Sequence, residues 1–600
     1  MQNKSLYIGN CDAKDLFIAS QYTNTRRRKT GYSLKKRNSD YNLRRFYAAL
    51  DFSLDQIKLR EVYEQVYGKT DFSFRSGRKN YTTRVINVTF KYAVREWNHI
   101  GGTTYVKLGC CERDMKFENG ACVVDGKLCG IMLNRPIEGD PLQPEILLPY
   151  YAFRDGHYVE IKKPKIVKTT AEAREYLYEN GFWCDGVHYV RWKRSSGSAR
   201  VGKCLFIDAR LYGPMHEWEM CGLSFANGEN VDLAALESYL SLPTSSIVDV
   251  LELSPRNILV IDDYESVFSD YVISVEERDG KLVAERKECE IKNSIWDGQG
   301  LIDVSAMGRF AENGMVLLRN LFFKCCCFNC NLQKWFADNG ITELSQLRGK
   351  TSAESLDEIK LITTPSSIKY LKFGSLEQWL EHIEPMFGVV KHEKKTHFFD
   401  GRMVQTHYQL LNTLQMTRPE VDVFLAPTFD YMSKIRNDPA VLRYHIKYPI
   451  SDQDEIVPAQ SKNDIVYKML GITDKFAETK LYYDFKTEIL KSFTKNLKVG
   501  HVLVNGNYST LCGNPIEMLL ASVGRFDGHS RIGVGNIHST RFAYNQRLVG
   551  SRSPHITCSN VWTPWNRANE EIDTYMNPTP EIVYINSIGD NVLNRLSGCD

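Results

Sequence analysis

The stretch from Ser551 to Asp600 constrains this chain most. It opens on Ser551-Arg552-Ser553-Pro554-His555, passes through the apolar run Ile582-Val583-Tyr584-Ile585, and closes on Ser597-Gly598-Cys599-Asp600. The residue before a proline is pushed towards extended backbone. A short β-branched and aromatic run reads as a strand, and the small residues after it form a turn that delivers one acidic side chain. A glycine-led loop on a rigid strand can gather carboxylates for Mg²⁺, which takes oxygen ligands. Asp600 is the first candidate ligand. The expectation is that the sequence stops inside its own metal motif, with further acidic residues needed beyond Asp600.

A chain of 600 residues exceeds what one core organises, so three or four domains are expected. The net charge of +3 gives no global basic field, and any nucleic-acid surface must be local. No apolar run is long enough for a membrane helix. Met1-Gln-Asn-Lys-Ser5 has no signal-peptide core. The 16 scattered cysteines then read as reduced thiols in a cytoplasmic protein.

Residues 1–150 read as an accessory region. Arg26-Arg-Arg-Lys29, Lys35-Lys-Arg37 and Arg44-Arg45 alternate with Tyr22, Tyr32, Tyr41, Phe46 and Tyr47. Cations beside stacking rings suit a nucleic-acid strand, and they equally suit a solvated surface. Asp51–Tyr67 has helical periodicity, and 82–93 alternates like a strand. Cys110, Cys111, Cys122 and Cys129 lack the paired spacing of a zinc site.

In the middle of the chain, two strand-like runs within 182–208 flank a turn rich in Ser, Gly, Arg and Lys. It reads as a phosphate-holding turn or a plain exposed hairpin. Asp297-Gly298-Gln-Gly300 is a tight turn between strands. Arg319 and Lys324 follow, the lysine set in an otherwise apolar run that ends in Cys325-Cys326-Cys327 and Cys330. A lysine there costs free energy unless paired or used. Further on, Thr364-Pro365-Ser366 turns the chain and presents Lys369. Residues 408–425 read as helix, turn, helix. Pro427, Pro439, Pro449 and Pro458 then argue against a long helix. Residues 464–496 are helical and lined by Lys475, Lys480, Lys486, Lys491 and Lys495, as a solvated face or as a template contact.

Taken together, these pieces resemble the single-chain, two-barrel RNA polymerases. That family comprises the RNA-dependent polymerases of RNA silencing and their phage relatives, and multi-subunit RNA polymerase carries the same two double-psi β-barrels. Arg552-Ser-Pro554 is similar to the family's Arg-x-Pro element, Gly598-Cys-Asp600 to the start of its Asp-x-Asp-x-Asp loop, and Asp297-Gly-x-Gly300 to its Asp-Gly-x-Gly signature. Arg319 and Lys324 match an Arg, four residues, Lys pattern, and Pro365-Ser-x-x-Lys369-Tyr370 matches a Pro-Ser-x-x-Lys element. This chain departs from the family in Asp303, in bulky residues near Lys324 where glycine is usual, and in Thr364 for Arg.

The resemblance implies an α+β fold with two double-psi β-barrels, the second incomplete. The expected domains are an N-terminal region at 1–150, a first barrel at 151–385, a helical connector at 386–497 and a second, catalytic barrel at 498–600. It implies a nucleotidyltransferase that extends an RNA 3′-end from nucleoside triphosphates on a nucleic-acid template, with Mg²⁺ as cofactor. Lys324 and Lys369 would stabilise the triphosphate, Arg552 and Arg319 would bind the nucleotide, and Asp600 would bind metal. The 600-residue piece would be inactive alone. The rival expectation is a non-catalytic nucleic-acid-binding or replication accessory protein descended from such an enzyme.

Overall fold

The computed structural model describes residues 5–20, 31–35, 42–94, 168–194, 202–447, 462–555 and 560–596, and between 95 and 167 the backbone of strands alone. Arg26–Lys29, Lys36, Arg37, the cysteines of 110–129, the 195–200 turn, Pro449, Pro458 and Asp600 therefore lie outside what is described, or contribute backbone only. The chain divides into two compact units, 1–220 with 224–245, and 221–223 with 246–600.

The first unit is built on a seven-stranded sheet. β1 (Leu6–Asp12) runs into α1 (Ala13–Ser20), and β2 (Ala48–Leu50) precedes α2 (Leu54–Tyr67). α2 starts where the Ser53 side chain accepts the Gln56 N–H, and it ends on Gly68 in the left-handed region. β3 (Phe74–Ser76) and the long β4 (Lys79–Thr89) follow. α3 (Thr170–Asn180) begins at a Thr169–Glu172 capping box and leads into β5 (Phe182–Cys184), β6 (Val187–Lys193) and β7 (Lys203–Asp208). α4 (Ala209–Met220) and α5 (Leu233–Leu240) close the unit. The sheet order is β5-β6-β7-β4-β1-β2, with β3 also on β4. Because β7 pairs with β4 along Lys203–Ile207, residues 182–208 belong with the N-terminal segment. The expected boundary at 150 therefore moves to about 245.

The second unit contains another seven-stranded sheet, in the order β8-β16-β13-β14-β12-β15-β9. Its strands are β8 (Asp249–Glu252), β9 (Ile258–Val260), β12 (Gln299–Asp303), β13 (Met315–Asn320), β14 (Phe323–Cys330), β15 (Leu361–Thr363) and β16 (Met386–His392). The sheet mixes parallel pairs, β12 with β14 and β9 with β15, with antiparallel ones. β12 is buried along its whole length, as suits a strand covered on both faces. β16 pairs with both β8 and β13, so 386–392 completes this sheet instead of opening a helical connector. Between β9 and β12 stands a ribbon of β10 (Glu265–Arg278) and β11 (Lys281–Ser294), in register over its whole length. Only part of β10 is legible in the sequence as strand, because β11 is dominated by charge.

After β16 come α6 (Tyr408–Thr413), α7 (Arg418–Asn437), α8 (Pro439–Lys447), α9 (Lys462–Ile472) and α10 (Lys480–Lys498). α7 corrects the reading of Pro427 as a helix breaker, since the proline lies inside a 20-residue helix. The missing N–H frees the Val423 carbonyl, and Val423 is solvent-exposed, where water can satisfy it. A smaller, five-stranded sheet follows, in the order β17-β21-β18-β20-β19. Its strands are β17 (Thr510–Gly513), β18 (Asn536–His538), β19 (Gln546–Arg547), β20 (Trp565–Asn566) and β21 (Ile582–Ile585). One core spans both sheets of this unit, with Trp296, Leu301, Phe328, Cys330 and Trp335 from the first packed with Cys512, Ile516, Met518, Ile582 and Tyr584 from the second. The protein is a mixed α+β structure.

Candidate functional site

The turn between β13 and β14 sets the site. Asn320 and Phe323 pair across it, leaving Leu321 and Phe322 as the two loop residues. Phe322 has φ +55, a conformation glycine adopts freely and a phenylalanine adopts only at a cost of about 1–3 kcal/mol. Its ring is buried edge-on against Tyr370 at 5.4 Å and against Phe373 at 6.4 Å, which holds the strained backbone in place. Phe322 therefore keeps a glycine-like path, secured by aromatic packing.

The strain has a geometric result. It turns the Phe322 carbonyl to accept the Lys369 backbone N–H at 2.7 Å, and Phe323 bridges Ile368. The neighbouring Leu321 carbonyl accepts the Trp379 indole N–H at 3.0 Å. Two segments 45 residues apart in sequence, around Lys324 and around Lys369, are thereby laid side by side. Arg319 lies directly across the hairpin from Lys324, so their side chains leave the same face.

Arg319, Lys324 and Lys369 thus lie together where the central strands β13 and β14 turn, at one end of the first sheet. No carboxylate among the described residues forms an ion pair with any of them. Lys324 is exposed, and Arg319 and Lys369 are half-buried. Partial burial pushes the Lys324 ammonium below the usual lysine range. Arg319 and then Lys369 add to the shift, and Asp297 opposes it. Burial likewise lowers Arg319. Like charges directly opposite one another in a sheet are destabilising, so this arrangement does not hold the fold together.

The Asp297-Gly-Gln-Gly300 turn abuts the same end of the sheet. The Gly298 N–H donates to Ser366 Oγ at 3.0 Å, the Ser366 N–H donates to Asp263 at 3.1 Å, and Lys369 Nζ donates to the Ser366 carbonyl. Ser366 therefore fastens the Asp-Gly turn, the segment after β9 and Lys369 to one another. Gly300 is required by close approach: a Cβ there would sit 2.8 Å from Cys325 Sγ and 3.0 Å from the Ile362 carbonyl. On the other side of the turn, the Gln299 side chain donates to the Gly513 carbonyl at 2.7 Å and accepts its N–H at 2.9 Å. Trp296 donates to the Asn514 carbonyl at 3.0 Å. The Asp-Gly turn is thus fixed against the start of the smaller sheet.

Arg552 is exposed, and Nη1 donates to the Leu596 carbonyl at 3.4 Å. The segment after it docks on α6, where Gln409 Oε1 accepts both the Ser553 hydroxyl at 3.1 Å and the His555 N–H at 3.2 Å. Thr413 meets His555 Nδ1 at 3.3 Å. Burial, with His407 nearby, lowers the His555 imidazole. α6 thus carries the Arg-x-Pro segment. The three cations, Arg552 and the Ser366 turn are legible in the sequence, whereas the parts played by Phe322, Asp263 and Gln409 are not. A left-handed Phe leaves no signal in the sequence, and the Asp263 and Gln409 side chains act on partners more than 100 residues away.

Asp600 lies outside the described residues. Among those described, no group of three His, Cys, Asp or Glu side chains could hold a metal. The described residues therefore do not fit a Mg²⁺ pair, and no chemistry is derived through one. The described cysteines are free thiols; Cys325, Cys327 and Cys330 are buried in β14, where Cys325 lies 3.6 Å from Thr363 Oγ1. No helix among the described residues is long and apolar enough to cross a membrane.

Among solved structures, the chain is similar to the RNA dependent RNA polymerase QDE-1 from Thielavia terrestris, with a TM-score of 0.45 and 12% identity. The match covers 71% of this chain and 44% of that one, so it extends over less than half of that structure's length. No family model matches the chain. No curated protein matches it.

Proposed function

We propose that this chain holds the nucleoside triphosphate of a template-directed RNA polymerase of the two-barrel type. The observation that carries the reading is the end of the first sheet where Arg319, Lys324 and Lys369 converge with no carboxylate paired to them. Unneutralised cations held by a strained turn suit a polyanionic ligand better than they suit the fold. In nucleotidyl transfer a 3′-hydroxyl gives up its proton to solvent as its oxygen forms a bond to the α-phosphorus. The bond from that phosphorus to the α–β bridging oxygen breaks, and pyrophosphate leaves with the electron pair. Negative charge grows on the leaving group, and fixed cations offset it. A lysine with a lowered pKa gives up its proton more readily, and Lys324 would protonate the departing oxygen. Arg552 would position the nucleotide from the segment that docks on α6, and Asp600 would contribute to Mg²⁺ binding. The template and the RNA product would be the macromolecular partners.

The test is calorimetric titration of ATP and of inorganic pyrophosphate into the purified protein and into Lys324→Met, Lys369→Met and the double variant. Each single change should weaken binding by roughly 10- to 100-fold, the worth of one charge-assisted hydrogen bond. Equal affinity across the set rejects the site. Incorporation of labelled nucleotide on an RNA or a DNA template separates an enzyme from a protein that binds without reacting.

A further inference from the structure

A second, separate cationic surface lies on α10. Lys491, Lys495 and Lys498 recur at four and three residues, which sets them in one stripe along the helix. All three are exposed, and none forms an ion pair with a described residue. Three other lysines of the same helical region behave differently: Lys434 pairs with Asp430 at 2.7 Å, Lys462 with Glu488 at 2.6 Å and Lys468 with Asp464 at 2.9 Å. The acidic residues of α10, Asp484 and Glu488, lie seven and three residues before Lys491 on the same face, so the stripe becomes purely cationic only from Lys491 onward, and Glu488 is already taken by Lys462.

The stripe borders an open groove of about 630 Å³, lined among the described residues by Thr487, Leu490, Thr494, Val499 and the three lysines. Leu490 and Thr494 are half-buried, and Thr494 is tied to Met432 of α7, so the floor is fixed while the rim is charged. Val499 is exposed at the groove's end. From Lys491 to Lys498 the helix rises about 10 Å, and the three long side chains spread further, enough for each ammonium to reach a phosphate of one strand.

We infer that the Lys491–Lys495–Lys498 groove of α10 binds the phosphate backbone of a single-stranded nucleic acid. A single strand fits better than a duplex because the floor is apolar: Leu490 and Val499 give an unpaired base or a sugar a face to cover, and a duplex has its bases already stacked inside. The inference does not depend on the triphosphate site. It would leave that site's ligand unaffected and supply a contact for template or product away from the Arg319–Lys324–Lys369 cluster.

The experiment is fluorescence anisotropy with a labelled 12-nucleotide single-stranded RNA and its duplex, across a salt series. It compares the unaltered protein, the triple variant Lys491→Gln/Lys495→Gln/Lys498→Gln, and a charge-matched control, Lys434→Gln/Lys462→Gln/Lys468→Gln. Helical content by circular dichroism reports folding, and ATP titration reports the other site. The triple variant should lose about 100-fold in single-strand affinity near 0.1 M salt. Its log–log salt slope should shrink by about 2, at roughly 0.7 per phosphate contact. The control should keep both values, and ATP binding should be unchanged in each. A triple variant that matches the control overturns the inference, and so does a loss confined to the duplex. Binding by this groove to phosphatidylserine vesicles but not to RNA overturns it in favour of a lipid surface. Loss of ATP binding at Lys324→Met with strand binding intact would leave this inference standing, and the reverse would leave the triphosphate site standing.

Discussion

Two regions of the molecule place lysines in opposite ways. In the first unit, Lys193 is buried with its ammonium 2.7 Å from Asp55 and 2.9 Å from Glu219, and it also donates to the Leu240 carbonyl at 3.3 Å. Asp55 Oδ2 has no partner, and Glu219 also accepts the Trp192 indole N–H. In the second unit, Lys324 and Lys369 have neighbouring cations and no paired carboxylate. The first lysine is enclosed by what it neutralises; the others are held beside what repels them. A buried lysine that satisfies its surroundings holds a fold, whereas an exposed lysine kept among like charges is available to a ligand.

The largest effect should follow from breaking the buried cluster. Lys193→Ala strands two carboxylates in the interior and should cost about 3–5 kcal/mol, read as a large drop in the midpoint of chemical denaturation. A change under about 1 kcal/mol would remove the contrast between the two regions. Next, Gln299→Leu leaves the Gly513 N–H and carbonyl without their partner and should cost about 2 kcal/mol. If thermal unfolding is unchanged, the Asp-Gly turn is not held by that clamp.

The pH response sharpens the same contrast. Burial pushes the Glu219 carboxyl from 4.5 up to about 7, against the pull of Lys193. Between those values the folded chain retains a proton that the unfolded chain has released. Stability contributed by Glu219 is therefore present at pH 4.5 and is lost as pH rises towards 7, with a slope of at most about 1.4 kcal/mol per unit. Glu219→Gln should flatten that slope in denaturation curves taken at pH 5, 6 and 7. The smallest stability effect belongs to the exposed cluster. Lys324→Met should change stability by no more than about 0.5 kcal/mol, while the same substitution weakens ATP binding. A large loss of stability would make Lys324 structural and erase the distinction.

Much of the local structure was legible in the sequence. The helical periodicity of Asp51–Tyr67 appears as α2, capped by Ser53 and Gly68, and the helix–turn–helix after residue 408 is present. Each rests on caps and periodicity that operate within a few residues. The less legible parts share one cause, which is that the partner is distant. Pro427 is tolerated because Val423 faces solvent; residues 386–392 are strand because β8 and β13 offer edges; residues 182–208 join the N-terminal sheet through β4. The charged strand β11 is strand because it pairs with β10 along its entire length.

The sequence by itself determined which side chains carry charge at Arg319, Lys324, Lys369 and Arg552, and how far apart along the chain they stand. It also determined the short-range turns and caps, since these depend on neighbours a few residues away. The tertiary structure alone decided that two lysine segments meet. It did so by forcing Phe322 into a left-handed conformation against Tyr370 and Phe373 and turning one carbonyl towards the Lys369 amide. The free energy that holds that turn comes from burial of rings distant in sequence, and no local pattern encodes it.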